Sequence, residues 1–127
     1  MTLAYIPIRT GTKKPLLSGW NQRENVVTSP EDKHKLAGHD IALAHAYCDP
    51  PTACLDIDDA KTAFPVLRDL GLDPGNLDAP VCSSGNPNRL KAFFTLAEPL
   101  PLHQVEIDGV ISFEYRCAFP NGTTTAD

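Results

Sequence analysis

The sequence has few of the features that mark membrane proteins, secreted proteins or simple nucleic-acid clamps. No apolar stretch approaches the ~20 residues of a membrane span, and Met1–Tyr5 is not a basic region followed by a long apolar block, so no signal peptide is expected. The four cysteines are scattered without a Cys-x-x-Cys pair, which argues against a zinc site or a disulfide framework. The sequence therefore predicts reduced thiols and a cytoplasmic protein without a membrane partner.

Positive charge is also scarce, since 11 Lys and Arg stand against 16 Asp and Glu and the formal net charge is −5. Residues 1–40 hold six basic and four acidic residues, whereas residues 41–127 hold five basic and twelve acidic ones. A net negative charge argues against binding DNA or RNA through charge alone. The uneven distribution fits an enzyme that holds phosphates through bound cations, and it fits equally well with no such role.

Short apolar segments separated by turns dominate the pattern. Seven strands are predicted, over residues 3–9, 41–47, 53–58, 81–83, 90–96, 104–107 and 110–116, the last two as a hairpin around Asp108-Gly109. Residues 48–51 are predicted as a turn that joins the second and third strands. Strands outnumber helices without a regular β-α-β order, so the class is α+β, with a mostly antiparallel sheet and helices packed on one face.

Two helices are predicted. Ser29 and Pro30 are typical of the start of a short helix that ends near Gly38. Asp59 is a candidate cap for a helix to about residue 70, in which Pro65 predicts a kink or a break. At 127 residues the chain suits a single domain over 1–127. Residues 118–127 carry no closing element, which indicates either a flexible tail or, as the favoured interpretation, a fragment of a longer polypeptide.

The most informative motif is the segment Asp56-Ile57-Asp58-Asp59, which follows an apolar run. Side chains at i and i+2 of a strand lie on the same face, so Asp56 and Asp58 present two carboxylates together while Ile57 turns into the core. Paired carboxylates suit a hard divalent cation such as Mg²⁺. A strand that runs into an acidic loop, with Asp59 as a helix cap, is the plainer alternative.

Two further segments carry candidate chemistry. The turn Ser83–Lys91 offers small residues and hydroxyls, with Arg89 and Lys91 as basic partners for phosphate, or it is simply a hairpin turn with two solvated basic residues. The strand Phe113–Arg116 carries Glu114, which is either a third acid for the metal or a cross-strand ion-pair residue. Two carboxylates, a phosphate-binding turn and a third carboxylate on successive strands form a more specific pattern than any one of them.

These segments, with Lys13-Lys14-Pro15, Gly19-Trp20 and Ile41–Ala44, resemble the N-terminal part of phage and plasmid bifunctional DNA primase/polymerase (prim-pol) domains. That family lies within the archaeo-eukaryotic primase superfamily. The resemblance covers almost the whole chain and implies an RRM-like sheet with a primase-like catalytic core. It implies primer synthesis or extension in phage or plasmid replication, in the cytoplasm of a bacterial host.

The resemblance also implies roles for individual residues. Asp56, Asp58 and Glu114 match the catalytic acids that hold Mg²⁺ or Mn²⁺. The residues expected to bind the nucleoside triphosphate are Ser84, Arg89, Lys91 and Arg116. Lys91 stands where the family usually has histidine; a lysine still pairs with phosphate as a point charge. The implied partners are a single-stranded DNA template and a helicase or other replication domain.

Weaker expectations concern the N-terminal loop and the histidines. Lys13 and Lys14 are candidates for template phosphates, and Trp20 either stacks on a base or, as favoured, anchors the loop in the core. His45 is expected as a core histidine with its hydrogen bonds satisfied, and no histidine is assigned to a metal. Two alternative functions remain open: a non-catalytic prim-pol-like remnant that binds nucleotide or a replication partner, and a metal-dependent nuclease.

Overall fold

A computed structural model describes residues 1–127, which form two antiparallel sheets, one α-helix and three short 3-10 helices. In the smaller sheet, β1 (Tyr5–Ile8) pairs with β2 (Asp40–Leu43). The larger sheet has the order β4-β5-β3-β7-β6. Its strands are β3 (Thr52–Ile57), β4 (Val81–Cys82), β5 (Leu90–Thr95), β6 (His103–Ile107) and β7 (Val110–Arg116). The predicted α+β class with antiparallel pairing is confirmed, and none of the helices has the length and apolar character needed to cross a bilayer.

Strand β3 is the centre of the larger sheet, paired with β5 on one side and β7 on the other. Leu55 and Ile57 are fully buried against α1 (Ala60–Asp69), which contributes Ala63 and Leu67 to the same cluster. Burying a Leu or Ile side chain stabilises the fold by about 1.5–3 kcal/mol. The helix thus covers one face of the sheet and leaves the other face for the polar residues of the site.

Helix α1 runs without a break through Pro65, so of the predicted kink or break the break does not occur. A proline lacks the N–H that would bond the carbonyl four residues earlier. Here that carbonyl belongs to Lys61, an exposed residue that water can reach. The helix is followed by Gly71 with φ +92°, in the left-handed conformation that favours glycine, and the predicted end of the helix is confirmed.

The other predicted helix is a 3-10 helix, Pro30–Leu36. Ser29 occupies the cap position but its side chain does not cap the backbone; its hydroxyl donates to Asp32 Oδ2 at 3.1 Å. The segment has no buried residue, so little apolar contact is present to lengthen it or to favour α-helical geometry.

The predicted strand at residues 41–47 is shorter than expected. β2 ends at Leu43, and a 3-10 helix, His45–Tyr47, turns the chain toward the larger sheet. The turn at residues 48–51, which contains a cis Asp49–Pro50 bond, does lead into β3, but β2 and β3 pair in different sheets. The break between the sheets therefore lies between two strands that the sequence suggests as neighbours.

The C-terminal segment is packed, so its interpretation as a flexible tail over 118–127 is wrong. Thr124 and Thr125 are buried, and the Thr125 N–H donates to the carbonyl of Cys117, just after β7. The main chain of Asp127 pairs with Leu43 of β2 in both directions, at 2.8 and 3.2 Å. This segment joins the end of β7 to the smaller sheet and brings the Asp127 side chain to the polar face of the larger one.

Candidate metal centre

A single row of side chains crosses all five strands of the larger sheet. The register pairs Cys82 with Lys91, Lys91 with Asp56, Asp56 with Glu114, and Glu114 with Gln104. Because directly paired residues of neighbouring antiparallel strands share a face, these five side chains lie on the face opposite α1. The row places an acidic pair at the sheet centre, flanked by a lysine and an amide.

Asp58 joins this pair just beyond the end of β3. Ligand atoms of Asp56, Asp58 and Glu114 all lie within 4.8 Å of one another. The N–H groups of Asp58 and Asp59 both donate to the carbonyl of Ser112, at 3.0 Å each, which fixes the backbone after the strand. Three carboxylates at this spacing could hold a divalent cation, and an all-oxygen set is what Mg²⁺ and Mn²⁺ prefer. The expected convergence of the three acids on one face is present.

Burial and charge repulsion act on Asp56. Burial raises the pKa of this carboxyl, and the carboxylates of Asp58, Asp127 and Glu114 raise it further, while Lys91 opposes them. The nearest contact with Lys91 is Nζ to Oδ2 at 3.7 Å, longer than a good hydrogen bond. Ionised Asp56 is therefore incompletely neutralised by the protein, which is the condition that a bound cation relieves.

The Glu114 carboxylate is held by a donor on each oxygen. Gln104 Nε2 donates to Oε2 at 2.9 Å, and Arg116 Nη1 donates to Oε1 at 3.1 Å. Glu114 is also buried, so its carboxylate has little freedom to turn away. Outer partners of this kind orient a metal ligand before the ion binds.

Two clefts meet at this row, and both are lined by Lys13, Asp56 and Lys91. The second cleft, of about 360 Å³, adds Asp58 and the turn after β4, with Ser83, Ser84 and Arg89. The first cleft, of about 340 Å³, runs toward the smaller sheet. Its other lining residues are Ile8, Thr12, Asp40, Ile41, Ala42, Arg116, Ala126 and Asp127.

The structure brings together most of the predicted site residues. Ser84, Arg89 and Lys91 share the second cleft with Asp56 and Asp58, and Arg116 lines the first. Lys13 lines both clefts together with Asp56 and Lys91. Lys14, expected to act with Lys13, is exposed and lines neither cleft.

Asp127 is the main functional candidate that sequence reasoning missed. Its side chain is 3% exposed, and its carboxylate accepts from Lys91 Nζ at 2.5 Å and Arg116 Nε at 2.8 Å. Burial acts to raise the pKa of Asp127, but His45, Lys91 and Arg116 outweigh it and lower the pKa to about 2. The residue therefore lies ionised beneath the two cations. The sequence gives no signal for Asp127, because no structural element is predicted for the segment 118–127 in which it lies.

The remaining expectations concern side chains around the site. His45 is buried, as predicted, and its Nδ1 shares a 2.7 Å hydrogen bond with Thr52 Oγ1. Its Nε2 lies 3.4 Å from Asp127 Oδ2 and has no hydrogen-bond partner, so the expectation of a fully satisfied histidine is wrong. Trp20 packs against the core of the smaller sheet and edge-on to Phe119. All four cysteines are free, and Cys82 is the exposed one.

Comparison of the chain with protein-family models, with curated proteins and with solved structures finds no match. The function is therefore argued from the site itself.

Proposed function

We propose that this chain is a metal-dependent nucleotidyltransferase domain of the primase/polymerase type, which synthesises or extends primers on single-stranded DNA. The observation that carries the proposal is the convergence of Asp56, Asp58 and Glu114 beside a cleft that also contains Ser84 and Lys91. Nucleotidyl transfer needs carboxylates for divalent cations and cationic or hydroxyl donors for a triphosphate, on one rigid surface.

The sheet supports the geometry that this reaction requires. Asp56 and Glu114 lie on paired central strands, where the ladder limits their movement, and Gln104 and Arg116 hold the Glu114 carboxylate. Rigid elements and outer donors are what keep a catalytic constellation within the narrow tolerance of the chemistry. Mg²⁺ or Mn²⁺, when bound by the three acids, would activate the attacking 3′-hydroxyl and neutralise charge on the leaving pyrophosphate.

The residues around the acids would bind and orient the substrate. Lys91 and Arg89 would pair with the triphosphate, and the Ser84 hydroxyl would donate to a phosphate oxygen. Arg116 and Lys13 would add positive charge from the first cleft. Since these groups surround an acidic centre, the substrate would bind as its metal complex and not as the free anion.

The test is nucleotide incorporation by the full chain with Mn²⁺, deoxynucleoside triphosphates and a primed single-stranded template. Asp56→Asn, Asp58→Asn and Glu114→Gln should each abolish incorporation, and Glu98→Gln, an exposed acid outside the clefts, should leave it unchanged. Incorporation that survives all three single changes would show that the acids are not the metal site.

Two other outcomes would identify the alternative functions. Shortening of a labelled oligonucleotide without added nucleotides would indicate a nuclease, in which the same acids activate water. Binding without incorporation would indicate the non-catalytic module. The rate of alkylation of Cys82 measures this binding. Cys82 is the exposed cysteine and lines the second cleft, so a bound triphosphate should slow its alkylation.

A further inference from the structure

Asp127 contacts both of the cations that stand next to the metal centre, one through each carboxylate oxygen. Oδ1 accepts from Lys91 Nζ at 2.5 Å, and Oδ2 accepts from Arg116 Nε at 2.8 Å. Lys91 is the second residue of β5 and Arg116 is the last residue of β7. The Asp127 carboxylate therefore links the two strands that flank β3. No other acid of the chain contacts both cations.

The three side chains of this hydrogen-bonded group differ in how much of each is exposed to solvent. Asp127 is 3% exposed, whereas Lys91 is 39% and Arg116 30% exposed. Asp127 is thus the most buried of the three residues, all of which line the first cleft. Arg116 Nη2 also donates to the carbonyl of Ala126 at 3.4 Å, so the donors left for an anion are the free N–H groups of Lys91 Nζ and of the Arg116 guanidinium. An anion that binds those N–H groups does not have to displace Asp127.

Lys91 and Arg116 also stand next to the acids of the candidate metal centre. Lys91 lies 3.7 Å from Asp56, and Arg116 bonds Glu114 at 3.1 Å. Arg116 thus already contacts its acid, whereas Lys91 does not. Without Asp127, Lys91 would be free to close fully on Asp56, since opposite charges in a partly buried site attract strongly. Asp56 would then be neutralised by the protein, and Lys91 would be lost to the substrate.

We infer that Asp127 is a positioning residue for phosphate recognition: it holds Lys91 and Arg116 side by side and keeps Lys91 out of hydrogen-bond contact with Asp56, so that both cations keep donors for the triphosphate. This inference rests on the proposed function and adds a residue to it. The backbone of Asp127 is fixed by its two hydrogen bonds to Leu43, and the buried His45 stands behind its carboxylate at 3.4 Å. The anchor is therefore rigid, as a positioning role requires.

The decisive variant is Asp127→Asn in the full chain, which keeps the size of the side chain and the main-chain pairing with Leu43. We expect dATP with Mn²⁺ to protect Cys82 from alkylation with an affinity about tenfold weaker, the loss typical of one charge-assisted hydrogen bond. The affinity for Mn²⁺ alone should change by less than about twofold, because Asp127 is not among the three acids. In turnover, KM for dATP should rise while kcat is kept.

The outcomes separate the inference from the proposed function. If the wild-type chain shows no protection by Mn²⁺ and dATP, the proposed function fails and this inference fails with it. If the wild-type chain is protected and Asp127→Asn is protected at the same concentration, the inference alone fails. Tighter binding by Asp127→Asn would also overturn it, because Asp127 would then be a competitor of phosphate.

A ligand-free measurement on the wild-type chain keeps the inference testable if the variant does not fold. The Arg116 Nε–H, bonded to a buried carboxylate, should exchange with solvent at least about tenfold more slowly than that of exposed Arg9, as followed by ¹⁵N NMR. Equal exchange rates for the two arginines would show that Asp127 does not hold Arg116, and would overturn the inference.

Discussion

Asp56 and Glu114 lie directly opposite each other on the paired central strands β3 and β7, and both carboxylates face away from α1. Like charges at directly opposed positions of a sheet destabilise it. The protein offsets this repulsion only in part, through Lys91, Arg116 and Gln104. A local arrangement that costs stability is typical of a functional site, where a bound partner supplies what is missing.

The first prediction concerns stability without metal. Burial and neighbouring carboxylates raise the pKa of Asp56, so ionising it opposes folding as the pH rises through that pKa. Asp56→Asn should therefore stabilise the metal-free chain at pH 7, by about 1 kcal/mol or about 3–5 °C in Tm. It should also abolish the increase in Tm on adding Mn²⁺. Thermal unfolding with and without Mn²⁺ measures both, and a lower metal-free Tm would contradict the prediction.

The second prediction concerns the outer partner of Glu114. Gln104→Ala removes the donor to Oε2 and frees the carboxylate to turn, so affinity for Mn²⁺ should fall about tenfold, the lower end for loss of such a partner. Calorimetric titration with Mn²⁺ gives the value. His103→Ala, an exposed neighbour on β6, is the matched control and should bind Mn²⁺ as the wild-type chain does.

The third prediction compares two basic residues that are expected to contact phosphates, Arg89 those of the triphosphate and Lys14 those of the template. Arg89 lines the second cleft and Lys14 lines neither cleft. Arg89→Ala should weaken protection of Cys82 by dATP and Mn²⁺ about tenfold, since an exposed cation–phosphate contact of this kind contributes on the order of 1 kcal/mol or more. Lys14→Ala should not change it. Equal losses for both variants would point to a general charge effect.

The fourth prediction concerns the pair formed by Lys91 and Asp127. Lys91→Met leaves the buried Asp127 carboxylate without its shortest partner, so the free energy of unfolding should fall by about 1–3 kcal/mol. In a chain that also carries Asp127→Asn, the added cost of Lys91→Met should be clearly smaller, because the two changes remove one interaction. Urea unfolding of the four chains measures the coupling. Lys61→Met, on the exposed side of α1, is the control.

The fifth prediction follows from the pKa of Asp127, which is lowered to about 2 from an ordinary 3.8. The folded chain binds this proton less tightly than the unfolded chain, so the ionised carboxylate stabilises the fold above about pH 4 and this contribution is lost as the pH falls toward 2. Its size is about 2 kcal/mol. Asp127→Asn should be less stable than wild type at pH 5 and approach it near pH 2. Parallel curves would contradict the prediction.

Much of the fold could be predicted from the alternation of apolar and polar residues, because this alternation acts within a single strand. Alternation along β3 places Asp56 on the face opposite Leu55 and Ile57, and that alternation depends only on the backbone of one strand. Asp108 and Gly109, both with positive φ, form the tight turn of the β6–β7 hairpin where the sequence places it. Features within one strand or one turn are thus readable from the chain.

The pairing of Gln104 with Glu114 could not be predicted from the sequence, because the register of β6 and β7 changes within the hairpin. Next to the turn, Ile107 pairs with Val110 and Glu106 with Ile111, a register that would place Gln104 opposite Phe113. The irregularity between Val105 and Glu106 shifts the pairing by one residue and brings Gln104 opposite Glu114 instead. A one-residue shift of this kind depends on packing across the whole sheet.

The sequence by itself determined most of the strands, the tight turn and the shared face of Asp56 and Asp58, because these depend on alternation and turn chemistry over a few residues. Only the tertiary structure placed Glu114 on that face and decided which side chains surround the three acids. Asp127 reaches Lys91 and Arg116 because the C-terminal segment crosses from β7 to β2 and buries its threonines there. That crossing brings together residues far apart in the chain, and no local pattern encodes it.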